Sequence, residues 1–318
     1  NGLGSIRVAD DGTFVLNGVE GVGRLVDGGD CGDSYNYAPP AEDHVVEDPD
    51  DVRVTVLSAG PVRGTLGIDR SYSWSPDEVP VKVETVAELH AGEPFCRIRV
   101  SFENPCDDHR LRLHVPLARE ARYSAAEGQF AVVERGLQAE SGFGEVALPT
   151  FPAYGFVDAG GVAVLLQHPM EYEVIDGREL GLTLLRSTGL ISRSAHRYRE
   201  SPAGPELAIP AAQCRGPWSI ELALYPHDGA WHDAGVLAQL ERYRHPFVVA
   251  PGRALDGPTS QKGPELSGEG VVLSSLRADG RRLAAVVACE HPEPVKAEFG
   301  EAELDLRPWE IRRVELER

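Results

Sequence analysis

The chain has 318 residues, of which 42% are hydrophobic and 25% charged, and a formal net charge of -19 at pH 7. This is the composition of a globular protein, and its negative charge disfavours binding to nucleic acid or to anionic membranes. No stretch approaches the ~20 apolar residues of a membrane-spanning helix, and the length favours one large unit plus a smaller one.

Apolar and polar residues alternate with a period of two through most of the chain, which predicts β-strands. The first hairpin is predicted at Asp11-Gly12, which separates two short apolar runs. Strands follow at Val52 to Val56, Val81 to Ala87, Ile98 to Phe102, Leu111 to Val115, Gly161 to Gln167, Leu180 to Arg186 and Ile220 to Tyr225. Each is expected to be half-buried in an antiparallel sandwich.

A single helix is predicted, from Asp233 to Tyr243, because Val236, Leu237, Leu240 and Tyr243 follow helical spacing. In a β protein such a short helix more often serves packing than chemistry.

Residues 251–270 are dense in Gly, Pro and Ser and predict a linker. We therefore expect a first domain at 1–250 and a small terminal β-sandwich at 271–318. Within the small domain, Asp279-Gly280 predicts a hairpin, and two further strands are expected at Glu303 to Leu306 and Glu310 to Leu316.

Five cysteines, widely spaced and without a Cys-x-x-Cys pair, argue against a disulfide framework or a structural zinc site. Reduced thiols in a cytoplasmic protein are the expectation. Because the chain starts at Asn1 and contains one methionine, Met170, we also expect it to be part of a longer protein.

Motifs for a nucleophilic serine, a phosphate-binding loop or a zinc protease are absent from the sequence. Acidic pairs such as Glu84 with Glu88 and Glu171 with Glu173 could serve glycoside hydrolysis, but an acidic chain offers many such pairs. An exposed polar strand face explains them better, and the cluster around His227 fits no common metal-ligand spacing.

The segment DGGDCGDSYNYAPP, Asp27 to Pro40, combines flexible glycines with carboxylates and aromatic rings. Aromatic rings stack on the apolar faces of sugars while carboxylates and amides bind hydroxyls, so Asp33, Tyr35 and Tyr37 are candidate sugar contacts. A turn capped by aspartate with a core tyrosine explains this segment equally well.

Taken in order, DGGD-x-GD-x-YNY-x-PP, EN-x5-HRLR, EYEV, LTLLRS-x-G-x-ISR, AGP-x-L and P-x-AQ resemble the C-terminal region of family 38 α-mannosidases. The resemblance is strongest to the bacterial branch that includes mannosylglycerate hydrolases. It extends through the closing LRPWEIRRVEL and covers nearly the whole chain.

The resemblance implies a β-supersandwich similar to that of galactose mutarotases, followed by a small β-sandwich. It also implies that the nucleophile, the acid/base carboxylate and one zinc ion belong to an N-terminal barrel, so no catalytic or metal-binding residue is expected here. This barrel and an α-mannoside substrate are the expected partners, and a homo-oligomer is compatible with the sequence. Tyr35 maps onto a substrate-binding tyrosine of the family and Arg199 onto a substrate-binding arginine, with Arg193 and Arg197 as alternatives.

Two other functions stay open at this point. One is a binding module that recognises mannosides without a partner domain. The other is a mutarotase-like epimerase, in which His109 or His168 would transfer protons.

Overall fold

The computed structural model describes residues 1–74, 79–142, 144–245, 262–280 and 282–317. The strands before residue 75 are β1 (Ile6–Val8), β2 (Phe14–Leu16), β3 (Val19–Val22), β4 (Arg24–Gly29), β5 (Asp51–Ala59) and β6 (Arg63–Trp74). The next strands are β7 (Val79–His90), β8 (Cys96–Asn104), β9 (His109–Pro116), β10 (Tyr123–Glu127) and β11 (Val132–Gly136).

The chain continues with β12 (Thr150–Ala153), β13 (Phe156–Ala159), β14 (Val162–Leu166), β15 (Met170–Ile175), β16 (Glu179–Arg186), a 3-10 helix (Pro210–Gln213), β17 (Gly216–Pro226) and α1 (Val236–Arg244). The last strands are β18 (Val271–Asp279), β19 (Arg282–Cys289), β20 (Val295–Phe299), β21 (Ala302–Leu306) and β22 (Ile311–Glu317). The all-β prediction is confirmed.

Two antiparallel sheets form the main sandwich. The larger has nine strands in the order β11-β10-β13-β14-β17-β8-β7-β6-β5, and the smaller has five in the order β12-β15-β16-β9-β4. Val100 of the larger sheet and Leu113 and Leu182 of the smaller belong to one core cluster and are 0% exposed. Burying each such side chain stabilises the fold by about 1.5–3 kcal/mol, so the alternation of apolar residues determines which faces meet.

Strand β9 departs from the predicted half-buried pattern, because its polar face is also covered. Arg110 is 7% exposed and His114 is 4% exposed. The ring of Tyr37, from the loop after β4, lies 3.4 Å from the Arg110 guanidinium, and Glu179 of β16 pairs with His114 at 2.9 Å. Charged side chains are buried here because loop and strand neighbours provide partners for them.

The predicted hairpin at Asp11-Gly12 joins β1 to β2. Asp11 accepts hydrogen bonds from the Thr13 amide and hydroxyl at 2.9 and 2.7 Å. Gly12 has a φ of +77°, and a Cβ atom there would lie 2.8 Å from the side chain of buried Arg70. Only glycine satisfies both conditions without strain.

Helix α1 covers one end of the outer face of the nine-stranded sheet. The four predicted apolar positions, Val236, Leu237, Leu240 and Tyr243, are all buried there. The helix begins later than predicted because Gly235 has the left-handed values φ 64° and ψ 36°. With nine residues α1 is short, and none of the described helices has the length and hydrophobicity that a membrane crossing requires.

The terminal strands form a three-stranded sheet, β18-β19-β22, and a two-stranded sheet, β20-β21, around a separate small core. Leu266, inside the predicted linker, packs against this core and bridges to Phe299. Residues 251–261 of the linker lie outside the described residues, and the division at 1–250 and 271–318 stays a prediction.

Candidate functional site

The predicted sugar-binding loop leaves β4 at the edge strand of the five-stranded sheet and folds back on itself. The Cys31 amide donates to the Ala38 carbonyl at 2.7 Å, and the Asp33 amide donates to the Asn36 carbonyl at 3.0 Å. A Cβ atom on Gly32 would lie only 2.0 Å from the Asn36 carbonyl oxygen. Glycine is therefore required at position 32 for the turn to close.

Two buried carboxylates organise the loop from inside. Asp30 and Asp33 are both 0% exposed. Asp30 accepts from the Gly32 amide at 2.8 Å, and Asp33 accepts from the Tyr35 and Asn36 amides at 3.0 and 3.1 Å. Such bonds from side chains to nearby amides replace the pairing that a strand would provide.

Burial raises the pKa of Asp30, and the ion pair with Arg186 opposes this rise. For Asp33, burial also acts to raise the pKa, but hydrogen bonds from Arg199 and from backbone amides outweigh it and lower the pKa to about 2. Asp33 is therefore ionised at neutral pH, and its negative charge is neutralised within the fold.

A second segment, from the end of β16 to Ser201, holds the loop chiefly through three arginines. Arg193 donates from Nε to the Gly32 carbonyl at 2.7 Å and from its amide to Asp33 Oδ2 at 2.8 Å. Arg199 pairs with Asp33 through Nη2 and donates from Nη1 to Asn36 Oδ1 at 2.5 Å. This segment binds the loop through both its backbone and its side chains.

Arg186 is the third of these arginines. Its Nε donates to Asp30 Oδ2 at 2.6 Å, while Nη2 donates to the carbonyls of Asp33 and Asn36 at 2.6 and 2.7 Å. The sequence patterns did not single out Arg186, although it lies in the LTLLRS segment. The sequence signal that could have identified it is its place at the end of a predicted strand, next to a loop that it could reach.

Tyr35 is the predicted site residue that reaches solvent. Its side chain is 56% exposed, and the Arg199 guanidinium lies 5.9 Å from its ring centroid. A Cβ atom on Gly204 would lie 3.2 Å from the Tyr35 hydroxyl oxygen, so the ring rests beside this glycine. Its hydroxyl donates no hydrogen bond to the described part of the chain and is available to a ligand.

Tyr37 is half-buried and lies over Arg110, and burial raises the pKa of its hydroxyl. The structure thus brings Asp33, Tyr35 and Arg199 into direct contact and places Tyr37 on the adjoining sheet face. Among the alternative arginines, Arg193 contacts the loop as described, and Arg197 is exposed and donates from Nη1 to the Pro40 carbonyl at 3.5 Å. None of these placements tests sugar binding, which stays a prediction.

Beneath the loop, His109 is enclosed by the core. Its Nδ1 lies 2.6 Å from Asp27 Oδ1 and its Nε2 lies 2.9 Å from Asn104 Oδ1. His109 is 1% exposed and packs against Trp74. Because both ring nitrogens have protein partners, His109 is not accessible to a sugar, which removes one of the two histidines of the epimerase hypothesis.

The other acidic and metal-like clusters have structural partners. Glu173 pairs with Arg112 at 2.9 Å, and His227 pairs with Asp158 at 2.9 Å. Within the described ranges, no three histidine, cysteine or acidic side chains are grouped so that they could hold a metal ion. The resemblance assigns the implied zinc to the N-terminal barrel and not to these residues.

Comparisons with known proteins agree with the resemblance found in the sequence. Residues 17–190 match the family described as "Glycosyl hydrolases family 38 C-terminal domain". A protein of Halalkalibacterium halodurans named "Putative mannosylglycerate hydrolase" is 26% identical over 222 residues, which are 68% of this chain and 24% of that protein.

Two solved structures from Enterococcus faecalis share the fold. An α-mannosidase of strain V583 superposes with a TM-score of 0.80 at 18% identity, covering 98% of this chain and 41% of its own. A glycosyl hydrolase family 38 protein superposes with a TM-score of 0.77 at 17% identity, covering 100% of this chain and 43% of its own. The chain thus spans less than half the length of each relative, and it belongs to the C-terminal domain family of the family 38 glycosyl hydrolases.

Proposed function

We propose that this chain is the C-terminal β region of a zinc-dependent, retaining α-mannosidase, and that it forms one wall of the substrate cleft beside an N-terminal catalytic barrel. Hydrolysis of terminal α-mannosides would then be the activity of the whole protein. Family membership and the lengths of the relatives support this arrangement. The nucleophile and the zinc ligands are assigned to the barrel, and the isolated chain is expected to be inactive.

The observation that carries the proposal is the exposed ring of Tyr35 on a loop that is otherwise tightly bonded. More than half of the side chain is open to solvent, while Asp33 and Arg199 fix the backbone on which it stands. An aromatic ring held in this way can stack on the apolar face of a pyranose, and its hydroxyl can bind a sugar hydroxyl.

Asp33, Tyr37 and Arg199 complete the proposed substrate-binding wall. Asp33 and Arg199 are buried. We propose that they support the wall from beneath by holding the backbone that carries Tyr35. Tyr37 contributes through the half-buried surface that it forms over Arg110.

Docking of the chain on a catalytic region is supported by exposed apolar side chains along β5, the edge strand of the nine-stranded sheet. Val54, Val56 and Leu57 are 46%, 64% and 55% exposed, and Val62 in the following turn is 70% exposed. Unpaired sheet edges that carry exposed apolar side chains are typical sites of protein contact. We propose the N-terminal region as the part that covers this strand.

The role of Tyr35 is tested in the full-length enzyme with an aryl α-mannoside. Tyr35→Ala removes the ring and Tyr35→Phe removes the hydroxyl, and losses of about 1–3 kcal/mol of transition-state binding are expected, or roughly 5- to 150-fold in kcat/KM. Tyr123, which is 53% exposed on β10, provides the matched controls Tyr123→Ala and Tyr123→Phe. Unchanged kcat/KM in both Tyr35 variants would contradict the proposal.

A stand-alone mannoside-binding module is the second candidate, and one observation favours it. Within the described ranges, Arg186, Arg193 and Arg199 of this same chain hold the Tyr35 loop, an arrangement that does not depend on a second domain. Calorimetry of the chain with mannose and mannobiose separates the two functions, because half of a cleft seldom binds measurably. Measurable heat of binding that Tyr35→Ala abolishes would favour the module.

A further inference from the structure

Arg186 occupies a distinctive place between the sheet and the Tyr35 loop. It is the last residue of β16, and in the register it lies opposite Arg110 of β9. Its side chain is 18% exposed and extends from the end of the strand to Asp30 of the loop. None of its hydrogen bonds goes to the Tyr35 side chain within the described chain, so it cannot act on a sugar through that ring directly.

The hydrogen bonds of Arg186 reach the backbone on both sides of Tyr35, the residue whose position they would set. One nitrogen, Nη2, donates to the carbonyls of Asp33 and Asn36, which are the first and last residues of the turn that carries Tyr35. The same guanidinium also donates from Nε to the Asp30 carboxylate at 2.6 Å. Three acceptors spaced along the loop are therefore fixed to one rigid planar group.

Lysine could not reproduce this geometry. A guanidinium presents several N–H donors in a fixed plane, whereas an ammonium is a single point on a flexible stem. An ammonium at this place could keep the Asp30 ion pair, but it could not also hold the two carbonyls in the same arrangement. Lysine therefore keeps the charge and removes the bonds that hold the two carbonyls.

We infer that Arg186 is a positioning residue that sets the place and orientation of the Tyr35 ring in the cleft. This inference rests on the proposed function of Tyr35 as a sugar contact. Arg199 is a poorer probe of the same effect, because its guanidinium also lies near the Tyr35 ring and pairs with Asp33. Arg186 influences the ring only through the backbone of the turn.

The first experiment is a double-mutant cycle in the full-length enzyme, with Arg186→Lys, Tyr35→Ala and the combined variant assayed on an aryl α-mannoside. Arg186→Lys is expected to lower kcat/KM about tenfold alone and to have almost no further effect once Tyr35 is alanine. Arg178→Lys, at a side chain that is 76% exposed, is the matched control and should change nothing. Equal losses from Arg186→Lys in both backgrounds would overturn the inference and indicate a general structural role.

The second experiment detects the ring without activity, using ¹⁹F spectra of the full-length protein labelled with 3-fluorotyrosine. The Tyr35 signal is assigned by its absence in Tyr35→Phe. Arg186→Lys should shift or broaden that signal and leave the Tyr123 signal in place, and an unchanged Tyr35 signal would overturn the inference. Loss of activity in Tyr35→Ala with wild-type kinetics in Arg186→Lys would refute only the positioning role. Full activity in both Tyr35 variants would refute the proposed function, and the spectra would still decide whether Arg186 places the ring.

Discussion

Replacing Glu127 with glutamine should make the protein more stable at alkaline pH. Glu127 ends β10, is 7% exposed, and its Oε2 atom has no hydrogen-bond partner among the described residues. Burial and, to a smaller extent, the nearby Glu290 carboxyl raise the pKa of this carboxyl against the opposing charge of Arg244, to about 8 in all. Glu290, which follows β19, is itself buried, and its pKa is raised to about 7 by burial and by Glu241 of α1.

The sign of the effect follows from proton binding. Below the unfolded pKa of 4.5 for Glu127 both states hold the proton. Between 4.5 and about 8 the unfolded chain releases the proton while the folded chain keeps it, so stability falls throughout this window and is level above it. A displacement from 4.5 to about 8 corresponds to at most ~5 kcal/mol of unfolding free energy, or on the order of 10 °C in Tm.

Thermal unfolding followed by circular dichroism at intervals from pH 5 to pH 9 measures this effect. Glu127→Gln should unfold near the wild-type temperature at pH 5 and at a higher temperature at pH 8 and above, because the amide resembles the protonated carboxyl. Exposed Glu134 on β11 gives the matched control Glu134→Gln, which should keep the wild-type pH dependence. If Glu127→Gln followed the same pH profile as wild type, Glu127 would not titrate as its burial implies.

Two further substitutions test the packing and the loop. Gly155→Ala should destabilise the fold by about 1–3 kcal/mol, because its Cβ would lie 1.4 Å from Glu127 Oε2 and 2.6 Å from Leu240 Cδ2. Urea unfolding measures this loss, and Gly64→Ala is the control because a Cβ atom at Gly64 meets open space. Equal stabilities of the two variants would contradict the predicted overlap at Gly155. Asp33→Asn leaves the Arg199 charge buried without its carboxylate and should destabilise by about 3–5 kcal/mol at pH 7. Since the pKa of Asp33 is lowered from 3.8 to about 2, this difference should shrink by about 2 kcal/mol as pH falls from about 4 to 2, and a difference that kept its full pH 7 size at pH 2 would contradict the ion pair as its cause.

Local patterns predicted the strands well where one sheet face meets the core and the other meets solvent. Strand β8 is the clearest case, with Ile98, Val100 and Phe102 buried and Arg99 exposed. Alternation failed on β9, where Arg110 and His114 are covered by a distant loop and by a neighbouring strand. Partners that are remote in sequence cannot be inferred from a local period.

The same limit applies to the site. Asp33 and Arg199 are separated by 166 positions, and no spacing rule predicts that they form an ion pair. The mixture of aromatic and carboxylate residues made Asp33 a candidate sugar contact, and the family resemblance identified Arg199, whereas composition alone left the loop equally well explained as a capped turn. Arg186 escaped notice because its role depends on three backbone and side-chain acceptors that only the folded chain assembles.

The bonds from β16 and from the segment ending at Ser201 also bear on how a larger protein would assemble. Ordering a flexible backbone costs about 1–2 kcal/mol of conformational entropy per residue. For the loop that carries Tyr35, this cost belongs to the folding of its own domain, since Arg186, Arg193 and Arg199 of the described chain hold the loop. A catalytic domain that later docks beside it therefore meets a rigid surface, and its affinity is not reduced by the ordering of that loop.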